Sequence, residues 1–205
     1  MEAINPISCA NQNHQTQHIG ISKMSLKDAS KHNRLRCDAP HVVFQECPNH
    51  VSLCFSFYGC PLRCSGCHSE ELWNSSGGRQ LSNDCFQQYL TQYAGLITCV
   101  VFFGGEWRAK ELQRFLMIAQ QQGLKTCLYT GLNHVSRHLR PYLNYAKIGP
   151  WQKARGGLNQ FNSNQRFYRL EQGKFVEDLS HLFRKEITTQ HNQDNSLKDS
   201  YHAAA

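Results

Sequence analysis

The chain has 205 residues, 40% hydrophobic, 18% charged and 11% aromatic, with ten cysteines and a formal net charge of +7. That length supports one ordinary core with tails. No apolar run reaches the roughly 18 residues of a membrane span, and the N-terminus lacks the apolar stretch of a secretory signal, so a soluble, cytoplasmic protein is expected.

Cysteine is too sparse for a small disulfide scaffold, and in a reducing compartment these residues are thiols or metal ligands. Residues 41–187 carry +6 without a Lys/Arg run of five. Charge spread in this way reads as a solvated basic surface, and no nucleic-acid or membrane partner is expected.

Residues 1–40 are rich in Asn, Gln, His, Ser and Lys without helical or strand periodicity, which predicts a flexible N-terminal extension. Met24 is a candidate start of translation, since no packing pattern precedes it. Residues 188–205 are similarly polar and predict a disordered C-terminal tail. The folded unit is expected over 41–187.

Within that unit HVVFQE (41–46) and VSLCFSF (51–57) predict paired strands around a CPNH turn. Ser82 or Asn83 can cap a helix with Phe86, Leu90 and Tyr93 on one face. ITCVVFF (97–103) predicts a buried strand, and a helix bearing Leu112, Phe115, Leu116 and Ala119 should end at Gly123. LKTCLYT (124–130) and NYAKIG (144–149) predict two more strands, joined through a short helix over His134–Leu143 interrupted by Pro141. RFYRL (166–170) and KFVEDL (174–179) predict a closing hairpin. Strands alternating with helices imply an α/β fold with a mainly parallel sheet. The unit is too short for a complete eight-fold barrel of about 250 residues, so an open partial (βα) barrel is expected, with ligands at the carboxyl ends of its strands.

Two motifs follow predicted strands. After Phe57, YGCPLRCSGCH places Cys60, Cys64 and Cys67 in a C-x3-C-x2-C pattern. Three thiolates on one loop can hold three corners of an iron–sulfur cube and leave the fourth iron open. After Phe103 come Gly104, Gly105 and Glu106: the glycines allow close backbone approach, and the carboxylate can accept hydrogen bonds from an ammonium group. Thr130–Gly131 and Gly149–Pro150 end the next two strands, so four turns should converge on one rim.

YGCPLRCSGCHSEELW followed by FFGGEW resembles the radical S-adenosylmethionine (SAM) superfamily. LKTCLYTG and IGPWQKARGGLNQFNSNQRFY further resemble the activating proteins of anaerobic ribonucleoside-triphosphate reductases, and the likeness covers about 41–187. The resemblance implies that Cys60, Cys64 and Cys67 hold a 4Fe-4S cluster, that Gly104, Gly105 and Glu106 contact the methionyl end of SAM, and that Gly66, His68 and Thr130 border the cofactor. It also implies reductive cleavage of SAM, a glycyl radical left on the large reductase subunit, and a one-electron donor such as a flavodoxin. Two positions depart from the wider superfamily pattern: Gly66 replaces an aromatic residue before the third cysteine, and Trp107 replaces proline after Glu106.

Alternatives remain open at this level. The same chemistry acts on small molecules or modified nucleobases in other short radical SAM proteins, and a non-catalytic zinc or iron–sulfur module is a third reading. A Cys3His zinc site through His68 is disfavoured because adjacent Cys67 and His68 reach one tetrahedral ion with difficulty. Cys54, Cys99 and Cys127 sit in apolar strands and read as packing residues, whereas Cys9, Cys37, Cys47 and Cys85 have no partner spacing. Arg155, Asn164, Gln165 and Arg166 are assigned either to a protein partner or to closure of the barrel.

Overall fold

The structure is a computed structural model that describes residues 34–184. Most of the N-terminal extension, including Met24 and Cys9, and the C-terminal tail lie outside the described residues.

In chain order the elements are β1 (Arg36–Cys37), β2 (His41–Val43), β3 (Ser52–Ser56), β4 (Arg79–Gln80), α1 (Asn83–Gln92), β5 (Cys99–Phe103), α2 (Ala109–Gln121), β6 (Lys125–Tyr129), β7 (Tyr145–Ile148), β8 (Arg166–Glu171) and β9 (Lys174–Asp178). Seven strands form one sheet in the order β2-β3-β5-β6-β7-β8-β9. The centre, β3-β5-β6-β7, is parallel, as strand–helix alternation predicts. β2, β8 and β9 join antiparallel at the flanks, so the sheet as a whole is mixed. Among the described residues β2 and β9 do not pair with each other, and no closed barrel forms.

Each helix has a local cause. Ser82 has extended backbone and its Oγ accepts a hydrogen bond from the Cys85 amide, which caps α1. Cys85, Phe86, Tyr89 and Leu90 form its buried face. In α2, Leu112, Phe115, Leu116 and Ala119 are buried, and the chain leaves the helix through Gly123 at φ 76°. The helix expected over His134–Leu143 does not form: only a 3-10 turn, Arg140–Tyr142, is present, with Pro141 inside it. Proline has no amide hydrogen to continue an α-helical ladder. The Arg140 side chain instead donates to the Val135 carbonyl at 2.8 Å and holds the crossover compact.

Register separates the two faces of the sheet. Leu53, Phe55, Val100, Phe102, Leu128 and Ala146 face α1 and α2 and form the main core with Phe86, Leu90, Phe115 and Leu116. The opposite face carries Cys99, Val101, Cys127 and Phe167, packed with Cys47 and Leu158. The main core also takes in Leu35, 1% exposed, and Cys37. β1 pairs with β4, and the Leu35 amide donates to Glu111 Oε2 at 2.9 Å. Packing against the core therefore extends ahead of His41, to Leu35 and Cys37. Residues 34–37 are too few for their apolar pattern to stand out from the polar extension.

Candidate functional site

The loop bearing Cys60, Cys64 and Cys67 leaves β3 at the carboxyl end of the parallel strands. Gly59 and Cys60 amides both donate to the Leu72 carbonyl, at 2.7 and 3.0 Å, which folds the loop back against the 3-10 turn Glu70–Trp73. A second, tighter turn is closed by Cys67 N donating to Cys64 O at 3.1 Å, with Gly66 between them at φ 68°. The three cysteines are half-buried free thiols, whereas Cys37, Cys47, Cys54, Cys99 and Cys127 are fully buried. Burial pushes the Cys37 and Cys54 thiols up to about 12 and raises Cys127; Cys47 rises further through its hydrogen bond with Cys127, and Cys99 through its hydrogen bond with Cys47, with burial adding to both. Thiols held neutral in this way are inert packing groups. Burial raises Cys60 as well, though it remains partly accessible.

β5 ends at the same rim. Gly105 adopts φ 95°, and a Cβ there would lie 2.7 Å from Phe57 Cδ2. At Gly104, φ 77°, a Cβ would meet the Trp107 ring at 2.6 Å. Both positions therefore require glycine, and Trp107 folds back over the glycine turn. Glu106 begins the 3-10 turn that follows. Thr130 Oγ1, at the end of β6, donates to Glu106 Oε1 at 2.5 Å and accepts from the Leu132 amide at 3.0 Å. Glu106 Oε2 is buried without a hydrogen-bond partner among the described residues. Burial raises the Glu106 carboxyl above its ordinary value, with the Thr130 hydrogen bond and the charge of Lys147 pulling the other way.

Lys147, on the face of β7 opposite the helices and in register with Tyr129, belongs to no sequence motif. It is only 9% exposed, and its Nζ donates to the Gly149 carbonyl at 2.9 Å. Burial lowers its pKa to about 8, and the nearby Cys64, Cys67 and Glu106 pull it the other way. A lone lysine in a strand has no spacing signal; only the register of β6 and β7 aims it at the rim.

The four expected turns do meet. A Cβ on Gly131 would lie 2.5 Å from Leu62 of the cysteine loop and 3.7 Å from Pro150 Cα. His68 is exposed and meets the Trp151 ring edge-on, with centroids 4.5 Å apart. Asn164 Nδ2 donates to the Pro150 carbonyl at 2.9 Å, Gln165 is buried, and Arg166 Nη1 donates to the Ser163 and Gln165 carbonyls. These three residues fix the segment that crosses the rim, while Arg155 is exposed.

The donor set suits an iron–sulfur cluster. Three accessible soft thiols stand on one loop, with the buried Lys147 near enough to Cys64 and Cys67 to interact with them and, among the described residues, an unpartnered carboxylate oxygen on the same rim. Among the described residues no three His, Cys, Asp or Glu side chains are grouped as a single-ion site.

Comparison with known proteins agrees with this donor set. Residues 46–148 match the 4Fe-4S single cluster domain family, and the chain belongs to that family. A stretch of 83 residues is 34% identical to the pyruvate formate-lyase-activating enzyme of Clostridium pasteurianum, covering 36% of this chain and 34% of that protein. The matched region thus spans about a third of the length of that relative. No helix among the described residues is long and apolar enough to cross a membrane.

Proposed function

We propose that this protein is a radical SAM activating enzyme that uses a 4Fe-4S cluster on Cys60, Cys64 and Cys67 to generate a glycyl radical on a large anaerobic ribonucleoside-triphosphate reductase. The observation that carries this reading is the meeting, at the carboxyl end of the parallel strands, of three accessible thiols and the unpartnered Glu106 Oε2. When bound, the cluster supplies the electron that breaks the carbon–sulfur bond of SAM, yielding methionine and a 5′-deoxyadenosyl radical able to take hydrogen from a backbone glycine.

The chain's own residues prepare that event. Three cysteine ligands would leave one cluster iron free to take the amino acid group of SAM. Thr130 holds one oxygen of Glu106, which leaves Oε2 to accept from the SAM ammonium. Gly104 and Gly105 let the backbone approach the same group, and Gly66 and His68 border it from the cysteine loop. Lys147 sets a buried positive charge against an anionic ligand set. The unclosed sheet leaves room for a protein loop to enter, and a glycine has no side chain to obstruct its Cα.

The segment from Gly149 to Tyr168, with its GPW, GGL and NQR groups, favours a reductase as the target. A formate-lyase-type glycyl-radical enzyme is a second reading, supported by the name of the matched relative. A one-electron donor such as flavodoxin and a cytoplasmic setting go with either.

Anaerobic reconstitution followed by iron, sulfide and zinc analysis tests the first step, and zinc without sulfide overturns the reading. Dithionite and SAM should then yield 5′-deoxyadenosine. A glycyl EPR signal on adding the reductase, and none on adding a formate-lyase, is the expected outcome; the reverse assigns the second target.

A further inference from the structure

A buried indole N–H gives up its hydrogen bond to water, and tryptophan in protein interiors normally finds a replacement. Trp151 Nε1 is buried and has none among the described residues. Its position has a clear relation to the cysteine loop. A Cβ built on Gly66 would have Trp151 Nε1 as its nearest neighbour, at 3.8 Å. The same ring meets His68 edge-on at 4.5 Å. Trp151 therefore spans Cys67 from the residue before it to the residue after it.

The segment that carries the indole is anchored on both sides. Gly149 N donates to Leu132 O at 2.7 Å, Asn164 Nδ2 holds Pro150 O at 2.9 Å, and Arg155 and Gly156 amides both donate to Gln152 O at 2.9 Å. The donor is thus held in place over the loop. Cys67 Sγ already accepts from the Ser69 amide at 3.4 Å, so sulfur in this loop is an acceptor within the protein itself.

We infer that Trp151 is a positioning residue for the cluster: its indole N–H donates to a sulfur of the cysteine loop, either a thiolate or a cluster sulfide, and makes the cluster easier to reduce. The inference rests on the proposed cluster-binding reading. A hydrogen bond to sulfur stabilises the added negative charge of the reduced state, which raises the reduction potential.

The test uses full-length protein with 15N in the tryptophan indoles, reconstituted and reduced without SAM. Pulsed EPR should detect a 15N coupling to the cluster that persists in Trp73→Phe and Trp107→Phe and is lost in Trp151→Phe. At a fixed redox poise the reduced-to-oxidised ratio of Trp151→Phe should fall about tenfold, equal to about 59 mV for a one-electron couple. Absence of coupling in wild-type protein with full iron and sulfide content overturns the inference and leaves the cluster reading standing, and this measurement does not depend on the variant folding. An unchanged ratio in Trp151→Phe, or a coupling that arises only when SAM is added, also overturns it. Wild-type protein that takes up no iron and sulfide overturns the cluster reading and the inference together.

Discussion

Glu106 and Lys147 are opposite charges placed in the same poorly solvated rim, and their costs can be separated from their uses. Burial raises the Glu106 carboxyl, so the folded state binds a proton more readily than the unfolded chain does. Its contribution to stability is therefore present at low pH and lost as pH rises through the folded pKa. Glu106→Gln should leave apoprotein stability at neutral pH equal or higher, while SAM affinity of the cluster-loaded protein drops at least tenfold by calorimetry. Equal loss of stability and affinity would instead identify a structural carboxylate. Lys147 works in the other sense. With a folded pKa of about 8 against an ordinary 10.5, it binds fewer protons when folded, so its contribution makes apoprotein stability rise with pH across that window. Lys147→Met should remove this rise, measured as the pH dependence of urea midpoints for wild type and variant.

At the scale of elements, the same short signals that predicted α1 and α2 also set their stability. Ser82→Ala should cost about 1 kcal/mol by chemical denaturation, because the Cys85 amide loses its acceptor at the first turn. Gly105→Ala should be worse, since it combines a left-handed backbone with a 2.7 Å approach to Phe57. These positions, the α2 face and the β8–β9 hairpin were legible because caps, helical periodicity and turn residues act within a few positions of one another. The crossover from β6 to β7 was misjudged for the opposite reason: its apolar residues suggested a helix, but Pro141 and the Arg140 side chain satisfy a shorter turn.

For the whole molecule, the core role of Leu35 was not legible. Leu35 enters the core and its amide is satisfied by Glu111, 76 positions away. A chain beginning at residue 41 should be less stable than one beginning at 34 by up to about 2 kcal/mol, the burial of Leu35 that it forgoes. Matching thermal and denaturant midpoints in the two chains would show that β1 adds nothing.

The cysteine loop, the Gly104–Glu106 turn, two helices and the positions of the main strands along the chain follow from residues near one another, whose spacing and conformational preferences are local properties. The roles of Lys147, Trp151 and Leu35, the mixed character of the sheet, and the division of the free cysteines among the described residues into accessible and buried thiols depend on strand register and on loops brought together from distant positions. Those contacts exist only after the sheet has formed, and no local pattern in the chain encodes them.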